Sequence, residues 1–471
     1  MLTTVELSSL LTRAMAGEIA VVLPQDRTAP VRVTPPELYD STGVPGRTAP
    51  PALVVFTSGS TGAPKGVALS SRALRVSATA TEEHMGGPGR WYLCLPTNHV
   101  AGVQVVLRSL QAGTTPVTAS GSFTPATFTA DVEHLAATTA GGVPLYTSLV
   151  PTQLVRILDD PAATQAAARF TGILLGGAAI SPALLDRADA SGLRIIRTYG
   201  MSETCGGCVY DGIPFAGVTV RILDEDGNTV DSGATAGPDT AGRVHLSGPV
   251  LADGYLRVED DPEDPMAGPP RLIALPDVDP DTGSPNGFGY CAPGTTVRTF
   301  RTSDLGRLDS TVTPPRLEIL GRADDVIITG GENVSPHHVE ALLLRALEPH
   351  GIAEVLLTSV PDPQWGERLV ALLRPATPAV SREPGSATGE GQGEIAPHAV
   401  STRTGKALDA GAVRRILGGE LPRPHLPREV LAVDRIPSRS IGKPDRQAAR
   451  RLVTARCEER GQGASTTAKD V

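Results

Sequence analysis

The sequence predicts an α/β protein with a large N-terminal domain of doubly wound, mostly parallel sheets. Strand and helix patterns alternate from Ala52 to Gly200, and this alternation is typical of parallel βαβ units. After Val209 the pattern changes to short alternating strands, which predict a small β-subdomain. A compact stretch that begins near Gly321 predicts a small α+β domain at the C-terminal end. A chain of 471 residues is long enough for two or three such domains.

The first βα units are read from hydrophobic patterns. The apolar run 52–56 predicts a buried strand, and residues 91–95 predict another. Apolar residues at helical spacing predict a helix over 100–111, with Gly113 as its stop. These elements form the first part of the expected parallel sheet.

The next βα unit leads to the expected ligand edge. Residues 172–176 predict a strand that ends in a Gly-Gly pair. Ser181 and Pro182 are typical of an N-cap and the first helical residue, which predicts a helix to about Ser191. Residues 193–198 predict the following strand. Because ligands bind beyond the carboxyl ends of strands in such sheets, we expect the site there.

The second half of the chain carries weaker patterns. Residues 218–223 and 243–246, with an Asp226-Gly227 turn, predict antiparallel β-structure. The stretch 260–299 is rich in Pro, Gly and Asp and predicts a loop or insertion. Residues 376–406 lack periodicity and predict a mobile linker. The predicted boundaries are a domain at 1–320, a domain at 321–456, and a flexible tail at 457–471 that is frayed from Gly461.

Composition argues against several classes of partner. A net charge of −9 and a pI near 5.6 disfavour binding to nucleic acid or to an anionic membrane. The five scattered cysteines are typical of a reducing compartment, and the pair Cys205 and Cys208 lacks the second pair that structural zinc usually needs. No apolar run approaches the ~20 residues of a membrane span. We expect a cytoplasmic protein with no membrane span, and a homodimer is compatible with the sequence.

The most informative motif is the run V-F-T-S-G-S-T-G-A-P-K-G-V over residues 55–67. Glycines let the backbone approach a ligand closely, and successive N–H groups can surround phosphate oxygens. The run is not a Walker P-loop, because Gly62 is followed by Ala63 and Pro64. Taken alone, such a run is more often a linker. As a phosphate loop, its donors are Thr57, Ser58, Gly59, Ser60, Thr61, Gly62 and Lys65.

Five further motifs follow the phosphate loop in order: G-G-A (176–178), Y-G-M-S-E-T (199–204), T-S-D-L-G (302–306), G-R-A-D-D-V-I-I-T-G-G-E-N (321–333) and S-R-S-I-G-K (438–443). With them, the chain resembles the adenylate-forming acyl/aryl-CoA synthetase superfamily. In that order, they resemble its adenine-binding turn, acyl-adenylate motif, ribose motif, hinge and catalytic-lysine loop. The resemblance implies that a small-molecule carboxylic acid reacts with ATP to give an acyl-adenylate and pyrophosphate, with Mg²⁺ as cofactor. The thiol of CoA then attacks the adenylate.

The resemblance also implies roles for single residues. Glu203 would bind Mg²⁺ through carboxylate oxygen, and Tyr199 would stack on adenine. Asp304 would accept from the ribose hydroxyls, Arg322 would reach ribose or phosphate, and Lys443 would bring a positive charge to the reacting groups. Outside this family, each would more often be a turn, packing or surface residue. The implied nucleotide contacts also include Gly176, Gly177, Ala178, Gly200, Met201 and Ser202, and the implied catalytic set is Lys443, His99, Ser202 and Arg322.

The hinge motif carries the implied motion. In the family the small C-terminal domain is mobile and rotates between the two half-reactions, which would make Asp324 the hinge. Gly330 and Gly331 would also take part in this motion, and Gly331 would let the pantetheine arm of CoA approach the backbone closely. Without the resemblance, these two glycines are an ordinary turn.

Three stretches, 95–108, 148–154 and 199–212, bear on which acid is used. They resemble a branch of the superfamily whose aromatic acid carries a second carboxylate. His99 would lie at the acyl pocket and either contact the carboxylate or gate the thiol tunnel, although a lone histidine is as often structural. Arg108 is a candidate for holding the second carboxylate, unless it faces solvent. The alternatives are a benzoate or fatty acid as substrate, a carrier-protein thiol in place of CoA, and a non-catalytic nucleotide-binding protein.

Overall fold

A computed structural model describes residues 3–25, 29–42, 44, 49–57, 65–224, 226–230, 241–259, 268–277, 287–290, 297–376, 400–401, 407–417, 419–438 and 444–466. The chain forms two compact units. The larger comprises residues 1–177, 184–302 and 306–318, and the smaller comprises residues 178–183, 303–305 and 319–471.

The helices and strands of the first 322 residues belong mainly to the larger unit. The helices are α1 (Thr4–Met15), α2 (Ser71–Met85), α3 (Val100–Gln111), α4 (Pro125–Ala137), α5 (Pro151–Leu158), α6 (Pro161–Ala167) and α7 (Pro182–Ala190). The strands are β1 (Ala20–Val22), β2 (Arg32–Thr34), β3 (Tyr39–Asp40), β4 (Leu53–Thr57), β5 (Lys65–Leu69), β6 (Arg90–Leu93), β7 (Val117–Thr118), β8 (Leu145–Leu149), β9 (Gly172–Leu175), β10 (Ile195–Met201), β11 (Gly206–Tyr210), β12 (Ile213–Pro214), β13 (Thr219–Leu223), β14 (Gly242–Ser247), β15 (Gly254–Glu259), β16 (Arg271–Ala274), β17 (Phe288–Tyr290), β18 (Arg298–Asp309) and β19 (Arg316–Arg322).

One seven-stranded sheet has the order β12-β11-β10-β9-β8-β6-β7. Its strands from β10 to β7 are all parallel, and β11 and β12 add antiparallel pairs at one edge. This confirms the predicted mostly parallel sheet with crossover helices. The helix predicted over 100–111 is confirmed at both ends, since α3 spans Val100–Gln111 and stops just before Gly113. Its apolar face is buried, as expected for an amphipathic helix that packs on a sheet.

The second seven-stranded sheet, in the order β2-β1-β4-β5-β15-β16-β3, is mixed rather than mostly parallel. The reason is the connection between β4 and β5, which pair as an antiparallel hairpin in which Thr57 faces Lys65. Seven residues are too few for the crossover that parallel neighbours require. A smaller sheet contains β13, β14, β18, β17 and β19, and its β13–β14 pair is antiparallel as expected. The predicted β-subdomain is therefore present.

Three predictions need comment. The stretch 260–299, predicted as a loop or insertion, contains the short strands β16 and β17, which pair with β15 and β18, their neighbours in the chain. The linker predicted at 376–406 lies almost wholly outside the described residues. The last helix ends at Thr466 and so extends into the predicted tail 457–471, whose flexibility stays a prediction.

The smaller unit is an α+β fold around a long antiparallel hairpin of β22 (Ile352–Asp362) and β23 (Gly366–Pro375). A first buried cluster lies between this sheet and the helices α8 (Pro336–Leu347) and α9 (Ala410–Leu417), and a second lies on the side of α10 (Arg446–Thr466). Among the helices that the structure describes, none combines the length and apolar character of a membrane span. The elements are β20 (Ile327–Thr329), β21 (Glu332–Val334), α8 (Pro336–Leu347), β22 (Ile352–Asp362), β23 (Gly366–Pro375), β24 (Val400–Ser401), β25 (Ala407–Leu408), α9 (Ala410–Leu417), β26 (Glu429–Ala432) and α10 (Arg446–Thr466).

Candidate active site

The carboxyl ends of the parallel strands carry the predicted motifs of the larger unit. β6 leads to His99, β9 leads to Gly176 and Gly177, and β10 runs through Tyr199 into the turn at Ser202. Because β9 and β10 are neighbours, the glycine pair and the turn lie at the same edge of the sheet. The structure therefore places these predicted site residues at one edge of the sheet, where the sequence predicted the ligand site.

Glu203 is held in a buried position in a 3₁₀ turn (Ser202–Thr204) directly after β10. Its residue is 8% exposed, and its Oε1 accepts a hydrogen bond of 2.8 Å from the hydroxyl of Tyr255 on β15. Burial, followed by the charge of Glu203 and this bond, raises the pKa of Tyr255, so the hydroxyl keeps its proton and donates. The carboxylate is therefore fixed before any ligand arrives.

The phosphate-loop motif touches the same tyrosine. Lys65, the first residue of β5, has its Nζ 5.7 Å from the centroid of the Tyr255 ring. β5 pairs directly with β15, which explains why this lysine and this tyrosine are close. Thr57 stands opposite Lys65 at the end of β4. The predicted donors Ser58, Gly59, Ser60, Thr61 and Gly62 lie outside the described residues.

The turn that carries Glu203 is fixed from the other side by a buried glutamine. Cys205 follows the turn in the left-handed region (φ 55°), and its carbonyl accepts bonds from Gln104 Nε2 (2.6 Å) and Ser77 Oγ (3.2 Å). Gln104 lies on α3 and is fully buried. Sequence reasoning missed this residue, although a glutamine within an apolar helix face was a usable signal. Tyr255 was also missed, and no local pattern indicated it.

The acyl-adenylate motif also requires a close approach of two strands. The register between β10 and β11 shifts at Tyr199 and Gly200, which leaves Cys208 as an extra residue in a β-bulge. A Cβ atom on Gly200 would lie 2.0 Å from the carbonyl oxygen of Gly206, so only glycine fits. Met201 is held by its N–H bond to the hydroxyl of Thr204. The motif thus has a structural reason for its residue types.

Backbone around Glu203 is supported by an arginine. The N–H of Ala252 donates to the carbonyl of Glu203 at 2.8 Å. Arg298 in turn donates to the carbonyl oxygens of Ala252 and Asp253, and its guanidinium carbon lies 4.4 Å from the centroid of the Phe288 ring. These contacts hold residues 252–253 in place, and Ala252 in turn bonds to the backbone of Glu203, the candidate metal ligand.

His99 and Arg108 lie at opposite ends of α3. His99 precedes the helix at the carboxyl edge of the sheet and is half-buried. Arg108 is nine residues further on, about 13 Å along the helix axis. It is 5% exposed and lies against Trp91, at the amino end of β6, and the Tyr210 hydroxyl. Arg108 therefore does not face solvent, and it lies at the opposite end of α3 from His99; its role in holding the second carboxylate stays a prediction.

The ribose and hinge motifs come together in the smaller unit. Asp304 lies on β18, and Arg322 ends β19. Burial lowers the pKa of Arg322, but the hydrogen bond with Asp324 and the charges of nearby aspartates, Asp304 among them, outweigh it and raise the pKa. Arg322 pairs with Asp324 at 2.8 Å with both side chains about half exposed, which matches the surface ion pair considered as its structural alternative.

Gly330 and Gly331 both have left-handed backbone, with φ of 60° and 84°. A Cβ atom on Gly330 would come within 2.8 Å of the Trp365 ring, whereas one on Gly331 would meet nothing within 4 Å. The N–H of Gly330 also donates to the carbonyl of Trp365 at 2.9 Å. Lys443 lies outside the described residues.

In the described part of the chain, the cysteine pair forms neither a disulfide nor part of a metal-binding cluster. Cys205 and Cys208 are buried free thiols. Burial raises the pKa of Cys208 to about 12 and that of Cys205 well above its usual value. Within the same residues, no group of three or more metal-binding side chains is found.

Comparison with known proteins gives concordant results. The family model described as AMP-binding enzyme matches residues 12–256. The chain is 36% identical over 400 residues to a probable 2-succinylbenzoate–CoA ligase of Mycobacterium tuberculosis, covering 84% of this chain and 83% of that protein. It is 28% identical to the 2-succinylbenzoate–CoA ligase of Enterococcus faecalis, covering 68% and 59%. The fold is similar to that of o-succinylbenzoate CoA synthetase (MenE) of Bacillus subtilis, solved with an acyl-adenylate, at a TM-score of 0.57, 24% identity and coverage of 84% and 68%.

Proposed function

Because the chain belongs to the family of AMP-binding enzymes, we propose that it is an acid–CoA ligase for o-succinylbenzoate. It would convert this acid, ATP and CoA to o-succinylbenzoyl-CoA, AMP and pyrophosphate, a step of menaquinone biosynthesis. The observation that carries the adenylating activity is the buried, pre-fixed carboxylate of Glu203 at the edge of the parallel sheet. The name of the relative that is similar over 84% of the chain supports the choice of acid.

Magnesium fits the residues at this position. Mg²⁺ in nucleotide sites is usually held by one or two carboxylates together with substrate phosphates and water, so a single carboxylate suffices. Glu203 is the ligand we assign, and Tyr255 is the group that orients it. When bound, the ion neutralises charge on the phosphate oxygens of ATP.

The other nucleotide contacts follow from the same motifs. We assign the phosphates of ATP to residues 57–65, which begin and end on paired strands. Gly176, Gly177, Ala178 and Tyr199 are assigned to adenine. Asp304 and Arg322 are assigned to ribose and phosphate because their charges already interact. The remaining assigned contacts are Gly200, Met201 and Ser202.

The chemistry of adenylation needs a positive charge at the reacting centre. A carboxylate and a triphosphate repel each other, and charge builds on the α-phosphate as the new bond forms. We assign this role to Lys443, whose ammonium would stabilise that charge more in the transition state than in the ground state. His99 is assigned to the acyl pocket. Rotation of a C-terminal domain from residue 321 about Asp324, with Gly330 and Gly331 at the pantetheine arm, would then admit CoA.

The proposal is tested with the purified full chain, ATP, Mg²⁺ and CoA. Products are measured by mass spectrometry with o-succinylbenzoate, benzoate and a fatty acid in parallel. We expect kcat/KM for o-succinylbenzoate to exceed that for benzoate at least ~10²-fold, because a buried donor left unpaired by benzoate costs a few kcal/mol. Equal turnover of benzoate would refute the acid assignment. Pyrophosphate and acyl-adenylate without thioester would favour a carrier protein as acceptor, and no pyrophosphate with any acid would favour a nucleotide-binding protein.

The proposal also covers cellular location and oligomeric state. We place the enzyme in the cytoplasm, where ATP and CoA are available, and fractionation of the source cells tests this. We also propose a homodimer, which light scattering of the purified chain would confirm or exclude.

A further inference from the structure

Arg446, the first residue of α10, connects three other elements of the smaller unit. Its guanidinium donates to both carboxylate oxygens of Glu340 on α8, at 2.8 Å for Oε2. It also donates to the carbonyl of Leu357 on β22 at 2.9 Å and to Oδ2 of Asp325 at 3.3 Å. One side chain therefore joins a helix, a strand and the 3₁₀ turn Ala323–Asp325.

These contacts differ from an ordinary surface ion pair. The side chain of Arg446 is 23% exposed and that of Glu340 is 12% exposed. Burial by itself lowers the pKa of Arg446, but the bonds and charges of Glu340 and Asp325 outweigh it and raise the pKa. A bidentate arginine–carboxylate pair of this kind fixes orientation as well as position. Arg446 is therefore a rigid attachment point.

The attachment point lies beside two segments with assigned roles. Asp325 directly follows Asp324, the assigned hinge. On the other side, Ser438 and Pro444 form a β-bridge, and the N–H of Asp445 donates to the carbonyl of Pro437 at 2.8 Å. These flanks close the base of the segment 439–443, which contains Lys443 in the sequence. Arg446 follows that base by two residues.

We infer that Arg446 is a positioning residue that fixes the base of the Lys443 segment and the residue after the hinge to one rigid body. The inference rests on the proposed function, because it concerns the step that needs Lys443. A lysine acts as a point charge on a flexible stem, so the placement of its backbone decides where the charge arrives. A displacement of about 1 Å in a catalytic group can cost ~10²-fold in rate.

The test compares Arg446→Gln with Arg450→Gln in the full chain. Arg450 lies one turn later on α10 and pairs with Glu367 at 2.6 Å rather than with Asp325 or Glu340, so it is the control. We expect Arg446→Gln to lower kcat for adenylation ~30- to 100-fold, with KM for ATP and acid changed less than about threefold. Conversion of a supplied acyl-adenylate to thioester should stay within about threefold of wild type. Arg450→Gln should change none of these by more than about twofold.

A structural role alone predicts a different pattern. Arg446→Lys keeps the charge, but its ammonium cannot bridge Glu340 and Asp325 as a planar guanidinium does. Compared with Arg446→Gln, it should therefore recover more of the wild-type melting temperature than of the wild-type adenylation rate. If both recover together, or if Arg446→Gln damages both half-reactions equally, the inference is wrong. Should Arg446→Gln fail to fold, Glu340→Gln and Asp325→Asn replace it, with the same selective loss of adenylation expected. Failure of the wild type to adenylate any acid would instead refute the proposed function.

Discussion

Removing one hydroxyl group beside Glu203 gives a sharp test of the metal assignment. In Tyr255→Phe, the carboxylate of Glu203 loses the 2.8 Å bond that orients it, while the ring and its packing are kept. Both residues are at most 9% exposed, so water cannot simply replace the hydroxyl. A hydrogen bond to a charged group contributes about 1.5–3 kcal/mol, which corresponds to ~10- to 150-fold. We expect the Mg²⁺ concentration for half-maximal adenylation to rise ~10- to 100-fold, the range found for groups that orient metal ligands.

The chain provides a matched control for this substitution. The Tyr92 hydroxyl donates to Oδ2 of Asp131 at 3.0 Å, and both residues are buried away from the Glu203 turn. Tyr92→Phe and Tyr255→Phe should lower the free energy of unfolding by comparable amounts. Only Tyr255→Phe should change the Mg²⁺ dependence, measured by pyrophosphate release at saturating ATP. An unchanged Mg²⁺ dependence in Tyr255→Phe, or an equal change in both variants, would refute the assignment of Glu203.

Three further predictions concern other parts of the molecule. Gly330→Ala should depress thioester formation and lower the melting temperature more than Gly331→Ala, because only the first places a Cβ against Trp365; equal effects in half-reaction assays would contradict this. With a pKa of about 12, Cys208 should be ~10⁻⁴ thiolate at pH 8, so mass mapping should find it unlabelled by iodoacetamide in the native protein and labelled after unfolding. Burial, followed by neighbouring arginines, lowers the pKa of His245 to about 4, so the folded state resists its protonation. Stability should fall as pH drops from about 6.5 to 4, by less than about 2 kcal/mol because the residue is half-buried, and replacement of His245 by Gln should flatten that part of the denaturation profile.

The elements that the sequence predicted are those that depend on local hydrophobic periodicity or on the order of motifs. α3 was placed with both ends because a long amphipathic helix has a strong periodic signal. The turn after β10 was placed because the order of motifs fixed which strand ends carry it. β16 and β17 were missed because strands of three or four residues carry too little pattern within a stretch rich in Pro, Gly and Asp.

The supporting contacts of the site could not be predicted in the same way. Tyr255 reaches Glu203 only because β15 pairs with β5, a pairing across nearly 190 residues of sequence. Gln104 reaches Cys205 because α3 packs over β11. The position of Arg108 against Trp91 could not be predicted, because helical periodicity gives the face of a helix but not which end meets the carboxyl edge of the sheet.

The most direct test of the central claim is acid-dependent exchange between ATP and labelled pyrophosphate in the absence of CoA. This exchange requires reversible formation of an acyl-adenylate and no other step. We predict exchange that depends on o-succinylbenzoate and Mg²⁺ in the wild-type chain, and a rate at least about tenfold lower in Glu203→Gln, because a neutral amide is a weaker ligand for a hard cation. Absence of exchange with o-succinylbenzoate, or exchange that Glu203→Gln leaves unchanged, would contradict the account.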